Sequence, residues 1–251
     1  MNKTAAIILA AGKGTRMKSD KPKVIFEFAG KPMINRVIGT ANKLKCDLIA
    51  VVVGYKKDQV INVIPPQNNI KFVEQKKQNG TGHAVMVTER TFQDFNGEIF
   101  ILCGDVPLLR HGTLKLIQDK HRNTKAACTV LTAKMDDALK YGRIVRDEND
   151  QVKKIVEFKD ATVSEKNIKE INTGIYCFNS KDMFDSLSEI GNSNNQNEYY
   201  LTDTLEILNK TGKLVTSVQL DDMVEASGVN SKQQLINLES EFNKRREHFE
   251  N

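Results

Sequence analysis

Four cations, Arg16, Lys18, Lys21 and Lys23, crowd behind a turn of small residues, Ala10-Ala11-Gly12-Lys13-Gly14. Cations at that density suit a polyanion, and glycine lets such a ligand reach the backbone without meeting a Cβ. Amide N–H groups left free in the turn form a concavity that holds anions. The apolar run at residues 5–9 reads as a buried strand that delivers the turn, and Pro22 stiffens the loop carrying Lys21 and Lys23. Strand end, turn and basic loop together read as a nucleoside triphosphate site, with Leu9, Ala10, Ala11, Gly12 and Gly14 against the nucleotide. Two common phosphate loops are excluded. A Walker A loop needs a G-x-x-x-x-G-K-[ST] spacing that Gly12-Lys13-Gly14-Thr15 lacks, and a dinucleotide fingerprint needs a third glycine where this chain has Met17.

Other chemistry-bearing residues lie further along. Asp105 ends the strongest apolar run, in Cys103-Gly104-Asp105-Val106-Pro107. A hard carboxylate oxygen beside a triphosphate is what Mg²⁺ needs, since that ion takes few protein ligands. Gln75 offers one amide donor and one acceptor, a pair that matches a pyrimidine edge. Gly80 and Gly82 would let Thr81 and its neighbouring amides approach the base, while His83 reads as the start of a helix rather than a catalytic base. Nothing in the pattern requires a covalent intermediate, so Cys103 is not read as a nucleophile.

These motifs, L-A-A-G-x-G-T-R-M followed by P-K, then Q-x-x-x-x-G-T-G-H-A, Y-G-R, E-I-N-T-G-I and G-V-N, occur here in one order and spacing. In that order the chain resembles the sugar-1-phosphate nucleotidyltransferases, from residue 4 to about 233, and most nearly the branch that uridylylates N-acetylglucosamine 1-phosphate. The resemblance implies that Arg16 and Lys23 serve catalysis and that Gln75, Gly80, Thr81, Cys103 and Gly104 adjoin the uridine nucleotide. It assigns Mg²⁺ to Asp105 and Asn230, the hexosamine to Gly142, Glu157 and Asn172, and a weaker lining role to Tyr200 and Thr202. Many members carry Tyr where this chain has Cys103. The implied reaction joins UTP to N-acetylglucosamine 1-phosphate, giving UDP-N-acetylglucosamine and pyrophosphate. Rival readings are another sugar phosphate or pyrimidine nucleotide, or a non-catalytic nucleotide-sugar-binding module.

Strands must deliver these residues. Apolar runs at 5–9, 48–53, 70–73, 99–102 and 126–131 alternate with helical patterns at 33–44, 59–64, 83–91 and 111–120. Such alternation implies an α/β fold, a mostly parallel sheet flanked by helices, with ligands outside the carboxyl ends of its strands. Segments 142–145, 152–158 and 172–178 read as strands of a smaller mixed extension for the sugar, and 200–209 as a helix. The resemblance makes the whole Rossmann-like, of the GT-A-like nucleotidyltransferase type. Residues 1–230 are expected to form one catalytic domain and 231–251 a charged helical tail with Leu235, Leu238 and Phe242 on one face. That face is expected to pack back on the domain, leaving a monomer or a weak dimer. No hexapeptide repeat is seen, so no left-handed β-helix acetyltransferase domain is expected.

Composition narrows the class. A 251-residue chain that is 39% hydrophobic and 27% charged reads as a soluble domain. No window approaches the ~20 apolar residues of a membrane span, no signal pattern opens the chain, and the scattered cysteines fit a reducing cytoplasm. Net charge is +5, yet the basic residues are dispersed and aromatics are only 6%, which argues against nucleic acid. The expected partners are small anionic substrates.

Overall fold

The computed structural model describes residues 3–138 and 140–250; the ends of the expected domain and tail, residues 1, 2 and 251, lie outside the described residues, as does 139. The chain begins with β1 (Lys3–Leu9), a small hairpin of β2 (Glu27–Phe28) and β3 (Lys31–Pro32), and α1 (Met33–Lys43). Then follow β4 (Leu48–Val53), α2 (Lys57–Asn62), β5 (Ile70–Glu74), α3 (Thr81–Met86), α4 (Glu89–Phe92) and β6 (Gly97–Cys103). The second half contains α5 (His111–Thr124), β7 (Cys128–Lys134), β8 (Arg143–Arg146), β9 (Val152–Val156), α6 (Val163–Lys166) and β10 (Glu170–Asn179). It closes with α7 (Ser180–Leu187), α8 (Asp203–Lys210), β11 (Val215–Leu220), α9 (Lys232–Lys244) and α10 (Arg246–Glu250).

The main sheet has the order β11-β7-β10-β6-β1-β4-β5, with the β8–β9 hairpin attached to β10. All neighbours along that order run parallel except β10, which is antiparallel to both β6 and β7. In β1, Ala6 and Ile8 pack into the core on one face while Ala5 and Ile7 pack into that on the other. Burial on both faces explains why the strand reads as a continuous apolar run rather than an alternating one. Register then decides where the chemistry lies. Leu9 pairs with both Val52 and Cys103, and Val53 pairs with Glu74, so Ala10, Gly104 and Gln75 leave the sheet at one rim.

The mostly parallel mixed sheet is as expected, with differences of detail. The helix predicted over 83–91 is two short helices, because the Thr88 hydroxyl turns back onto the Val85 carbonyl at 2.7 Å. The strand predicted over 126–131 starts and ends later, at Cys128–Lys134. Of the three strands predicted for the sugar extension, 172–178 instead belongs to β10, buried on both faces between β6 and β7 in the main sheet; only β8 and β9 stand apart, joined to β10 at Ile171 and Arg143.

A third, smaller core joins distant segments. Met17, Phe28, Met33, Leu108 and Val229 pack there with Leu238 and Phe242 of α9. The Phe28 and Phe242 rings meet edge-to-face at 5.4 Å, and the Arg36 guanidinium stacks on both. Glu239 accepts a hydrogen bond from the Ala29 amide at 2.8 Å. The tail therefore packs back on the domain within the chain.

Candidate active site

Gly14 adopts φ +63°, and a Cβ there would lie 2.6 Å from that of Lys23. Only glycine permits this approach, which folds the basic loop back over the end of β1. Met17, buried in the third core, anchors the 3-10 turn Thr15–Met17 that presents Arg16. Pro22 leads into a second such turn, Lys23–Ile25, which aims Lys23 inward.

Four predicted residues meet at this point. The Lys23 ammonium donates to Asp105 Oδ2 at 2.5 Å and to Asn230 Oδ1 at 2.8 Å, and Arg16 Nη2 donates to the same Asn230 oxygen at 2.8 Å. The side chains of Lys23 and Asp105 are each 16% exposed. Asn230 is held from its own segment, since its amide donates to Gln234 Oε1 at 2.8 Å. Gly228 lets that segment close on Asp105; a Cβ there would stand 3.3 Å from Asp105 Oδ2. The donor set, one carboxylate and one carboxamide oxygen, fits a hard divalent cation. Both oxygens already converge on a single positive charge, the Lys23 ammonium, which shows that they can share one. Among the described residues there is no cluster of three or more His, Cys, Asp or Glu that could hold a metal.

Beside this point opens a cleft of ≈ 320 Å³. Leu9, Ala10, Ala11, Gly12, Gln75, Gly80, Thr81 and Cys103, all predicted from the sequence, line it together with Lys23 and Asp105. Gly104 lies just behind, its amide bonded to the Leu9 carbonyl at 3.0 Å. Gln75 is held differently from the expected donor–acceptor pairing. Its Nε2 donates to the Gly80 carbonyl and faces His83 Nδ1, each at 3.1 Å. Both amide hydrogens are thereby engaged, and among the described residues Oε1 has no partner. Gln75 presents an acceptor, suited to a ring N–H such as uracil N3–H. His83 is thus an orienting residue as well as part of α3. The cleft also includes Gln78 and Glu198, which the sequence reading did not single out; Gln78 donates to the Ala11 carbonyl at 2.7 Å.

Cys103 donates weakly to the Gly174 carbonyl, and burial foremost, then the Asp105 charge, pushes its thiol up to about 12. It is neutral at ordinary pH and no nucleophile. Tyr141 is a residue that the sequence reading passed over in favour of its neighbour Gly142. Burial raises its phenol, the Asp105 charge adds to this and the Arg16 charge opposes it, which places the hydroxyl within electrostatic reach of both.

The predicted sugar residues gather around β8, β9 and β10. The Asn172 amide donates to the Gly142 carbonyl at 2.9 Å, and a Cβ on Gly142 would lie 3.5 Å from Glu157 Oε2. Thr202 donates to Glu157 Oε1 at 3.2 Å. Burial raises the Glu157 carboxyl while this hydrogen bond lowers it. Asn172 is occupied at both ends of its carboxamide, by Tyr176 and the Gly174 amide. Tyr200 shares a second cleft of ≈ 360 Å³ with Glu157 and Asp203, its hydroxyl joined to Asp160 and Gln196.

A parallel α/β sheet with cations converging outside its strand ends is a nucleotide-binding scaffold. The chain belongs to the Nucleotidyl transferase family, whose model matches residues 5–224. It is 45% identical over 241 residues to the bifunctional protein GlmU of Caldicellulosiruptor saccharolyticus, covering 96% of this chain and 52% of that one. The GlmU of Lactococcus lactis is 45% identical over 248 residues, 99% of this chain and 54% of the relative. The chain thus spans about half the length of the curated relatives it matches. Among solved structures, a UDP-glucose pyrophosphorylase complexed with UDP-glucose has a TM-score of 0.78 at 21% identity, covering 98% of this chain and 100% of that one. That likeness shows the fold alone.

Proposed function

We propose that the chain transfers UMP from UTP to N-acetylglucosamine 1-phosphate, releasing pyrophosphate, with Mg²⁺ as the cofactor. The observation that carries this reading is the meeting of Arg16, Lys23, Asp105 and Asn230, from three separate segments, at the mouth of the nucleotide-sized cleft. The similarity to GlmU proteins over nearly the whole chain supports the choice of substrates.

Catalysis here is positioning and charge neutralisation. A phosphate oxygen of the sugar phosphate attacks the α-phosphorus in line, a P–O bond forms, and the bond to the β-phosphate breaks. Arg16 and Lys23 stabilise the negative charge that collects on the departing pyrophosphate. In the free protein, Lys23 is held by Asp105 and Asn230; a triphosphate competes for its ammonium and releases the two oxygens. The freed Asp105 and Asn230 oxygens would hold Mg²⁺, which would supply further neutralisation of the phosphates' charge. Gln75 accepts from the uracil ring, and Gly142, Glu157, Asn172, Tyr200 and Thr202 line the hexosamine side. Residues 1–230 act as the catalytic unit and 231–251 brace it, in a cytoplasmic monomer or weak dimer whose partners are these small substrates.

A pyrophosphate-release assay over a panel of nucleoside triphosphates and sugar 1-phosphates tests the reading. UTP with N-acetylglucosamine 1-phosphate should be the preferred pair, and Asp105→Asn should lower its turnover by about 10²-fold or more. Equal rates with ATP, or full activity of that variant in limiting Mg²⁺, would overturn it.

A further inference from the structure

Glu225 is a fully buried carboxylate, 0% exposed, and does not line the nucleotide cleft. Arg110 donates to it through its backbone amide at 3.2 Å, Nε at 2.7 Å and Nη2 at 2.5 Å, and Thr113 Oγ1 donates at 2.5 Å. Burying a charge is costly unless it is paired and hydrogen-bonded, and here every donor comes from the first turn of α5 or the residue before it. The sequence positions of the pair carry the meaning. Arg110 lies five residues after Asp105, and Glu225 lies five residues before Asn230. The two segments run antiparallel and touch at two rungs. At one rung the Val229 amide donates to the Asp105 carbonyl at 3.0 Å, and Gly228 abuts the Asp105 carboxylate. The Arg110–Glu225 pair is the other.

We propose that the Arg110–Glu225 pair is a positioning clamp that sets the spacing between the Asp105 and Asn230 oxygens. The inference rests on the reading that these oxygens hold the metal. Neither Arg110 nor Glu225 lines the nucleotide cleft, and the chain between Glu225 and Asn230 is the 3-10 turn Met223–Ala226 followed by four residues without regular structure. Ala226 packs into the main core and Val229 into the third, which hold the segment by its apolar side chains. The Ser227 hydroxyl bonds within it to the Met223 carbonyl, and Asp222 at its start is bridged by Arg245 of the tail. The Glu225 carboxylate ties the segment by hydrogen bonds to the start of α5, which packs on β7, β10 and β11. Outer contacts of this kind fix ligand orientation, and their loss typically weakens metal binding by about 10–100-fold.

The test measures metal binding directly. Mn²⁺ is titrated into the full chain with α,β-methylene-UTP, following the free-ion electron paramagnetic resonance signal, alongside melting curves and turnover at varied Mg²⁺. Arg110→Met should raise the Mn²⁺ dissociation constant about tenfold and the half-saturating Mg²⁺ equally. Turnover at saturating metal should stay within about threefold, and UTP over CTP preference should be unchanged. Arg110→Lys, which keeps the charge and loses the fork, should fall between Arg110→Met and the native chain and guards against a variant that fails to fold. A folded Arg110→Met chain with native Mn²⁺ affinity overturns the clamp, as does a fall in turnover at saturating metal with the metal constant unmoved. Asp105→Asn separates the two readings: if it binds Mn²⁺ as tightly as the native chain, the metal assignment fails and takes the clamp with it.

Discussion

Replacing Lys23 by Met should move metal binding and turnover in opposite directions. In the free protein the Lys23 ammonium occupies the two oxygens assigned to the metal, at 2.5 Å and 2.8 Å. A cation must displace it before binding there. Hydrogen bonds to charged groups contribute roughly 1.5–3 kcal/mol. With both side chains 16% exposed, that range is taken once for the pair rather than once per bond. At about 1.4 kcal/mol per factor of ten, Lys23→Met should bind Mn²⁺ in the absence of nucleotide roughly 10–100-fold more tightly. Methionine, one atom shorter, keeps the unbranched stem and adds no competing donor, so the oxygens stay in place. Turnover should nevertheless fall by about 10²-fold or more, because the charge that steadies the departing pyrophosphate is gone. Paramagnetic resonance titration of the nucleotide-free chain gives the first quantity, and pyrophosphate release at saturating metal the second. Unchanged or weaker Mn²⁺ binding would refute the reasoning, because Lys23 would then not be guarding the site.

Gln75→Ala should raise the KM for UTP and erode the preference for UTP over CTP by about tenfold, as loss of a base-edge contact worth roughly 1–3 kcal/mol implies; an intact preference would remove Gln75 from the base site. Phe242→Ala, at a side chain 1% exposed in the third core, should cost about 3–5 kcal/mol in urea unfolding, and a loss under 1 kcal/mol would mean that the tail is not seated there. Burial first, then Glu206 and Asp160, pushes Asp203 from 3.8 up to about 6. Because the folded value is the higher one, its contribution is fully present below about pH 4 and is lost as pH rises through 6. That shift corresponds to about 3 kcal/mol at 1.36 kcal/mol per unit. Discounted for partial exposure and for the lost charge at the start of α8, Asp203→Asn should gain about 1 kcal/mol at pH 7. The gain should vanish in unfolding measured near pH 4, and a pH-independent difference would argue against the assignment.

The parallel core was legible because β1, β4 and β6 are buried on both faces and so spell uninterrupted aliphatic runs. The nucleotide cleft was legible because short motifs stand directly at those strand ends. What escaped depended on distant partners. In β11, Val-Thr-Ser-Val-Gln-Leu mixes a buried Thr216 with a half-buried Val218 and an exposed Gln219, so no clean alternation marks the strand, and its pairing with β7 is what makes it one. The eight residues of α7 are too few for a helical period to stand out, although Asn179 caps it through the Lys181 and Asp182 amides. Tyr141 looked like a companion of Gly142 until the fold carried it toward Asp105. Arg110 and Glu225 stand 115 positions apart, and no local pattern announces such a pair.

The reversed interior strand of the main sheet, β10, has a consequence for how the chain is made. β10 lies between β6 and β7, yet it follows both in sequence. A chain emerging from its amino end therefore completes β1, β4, β5 and β6 while the open edge of β6 still awaits a strand not yet synthesised. That edge is rich in apolar residues, Ile99 to Leu102, and an unpaired apolar edge invites pairing with another chain. Until residues 170–179 arrive, β7 has α5 but no strand to join it to β6, so closure of the sheet waits for a long-range contact and should be the slow step. Nascent chains halted shortly before β10 would be the species that most needs shielding by chaperones.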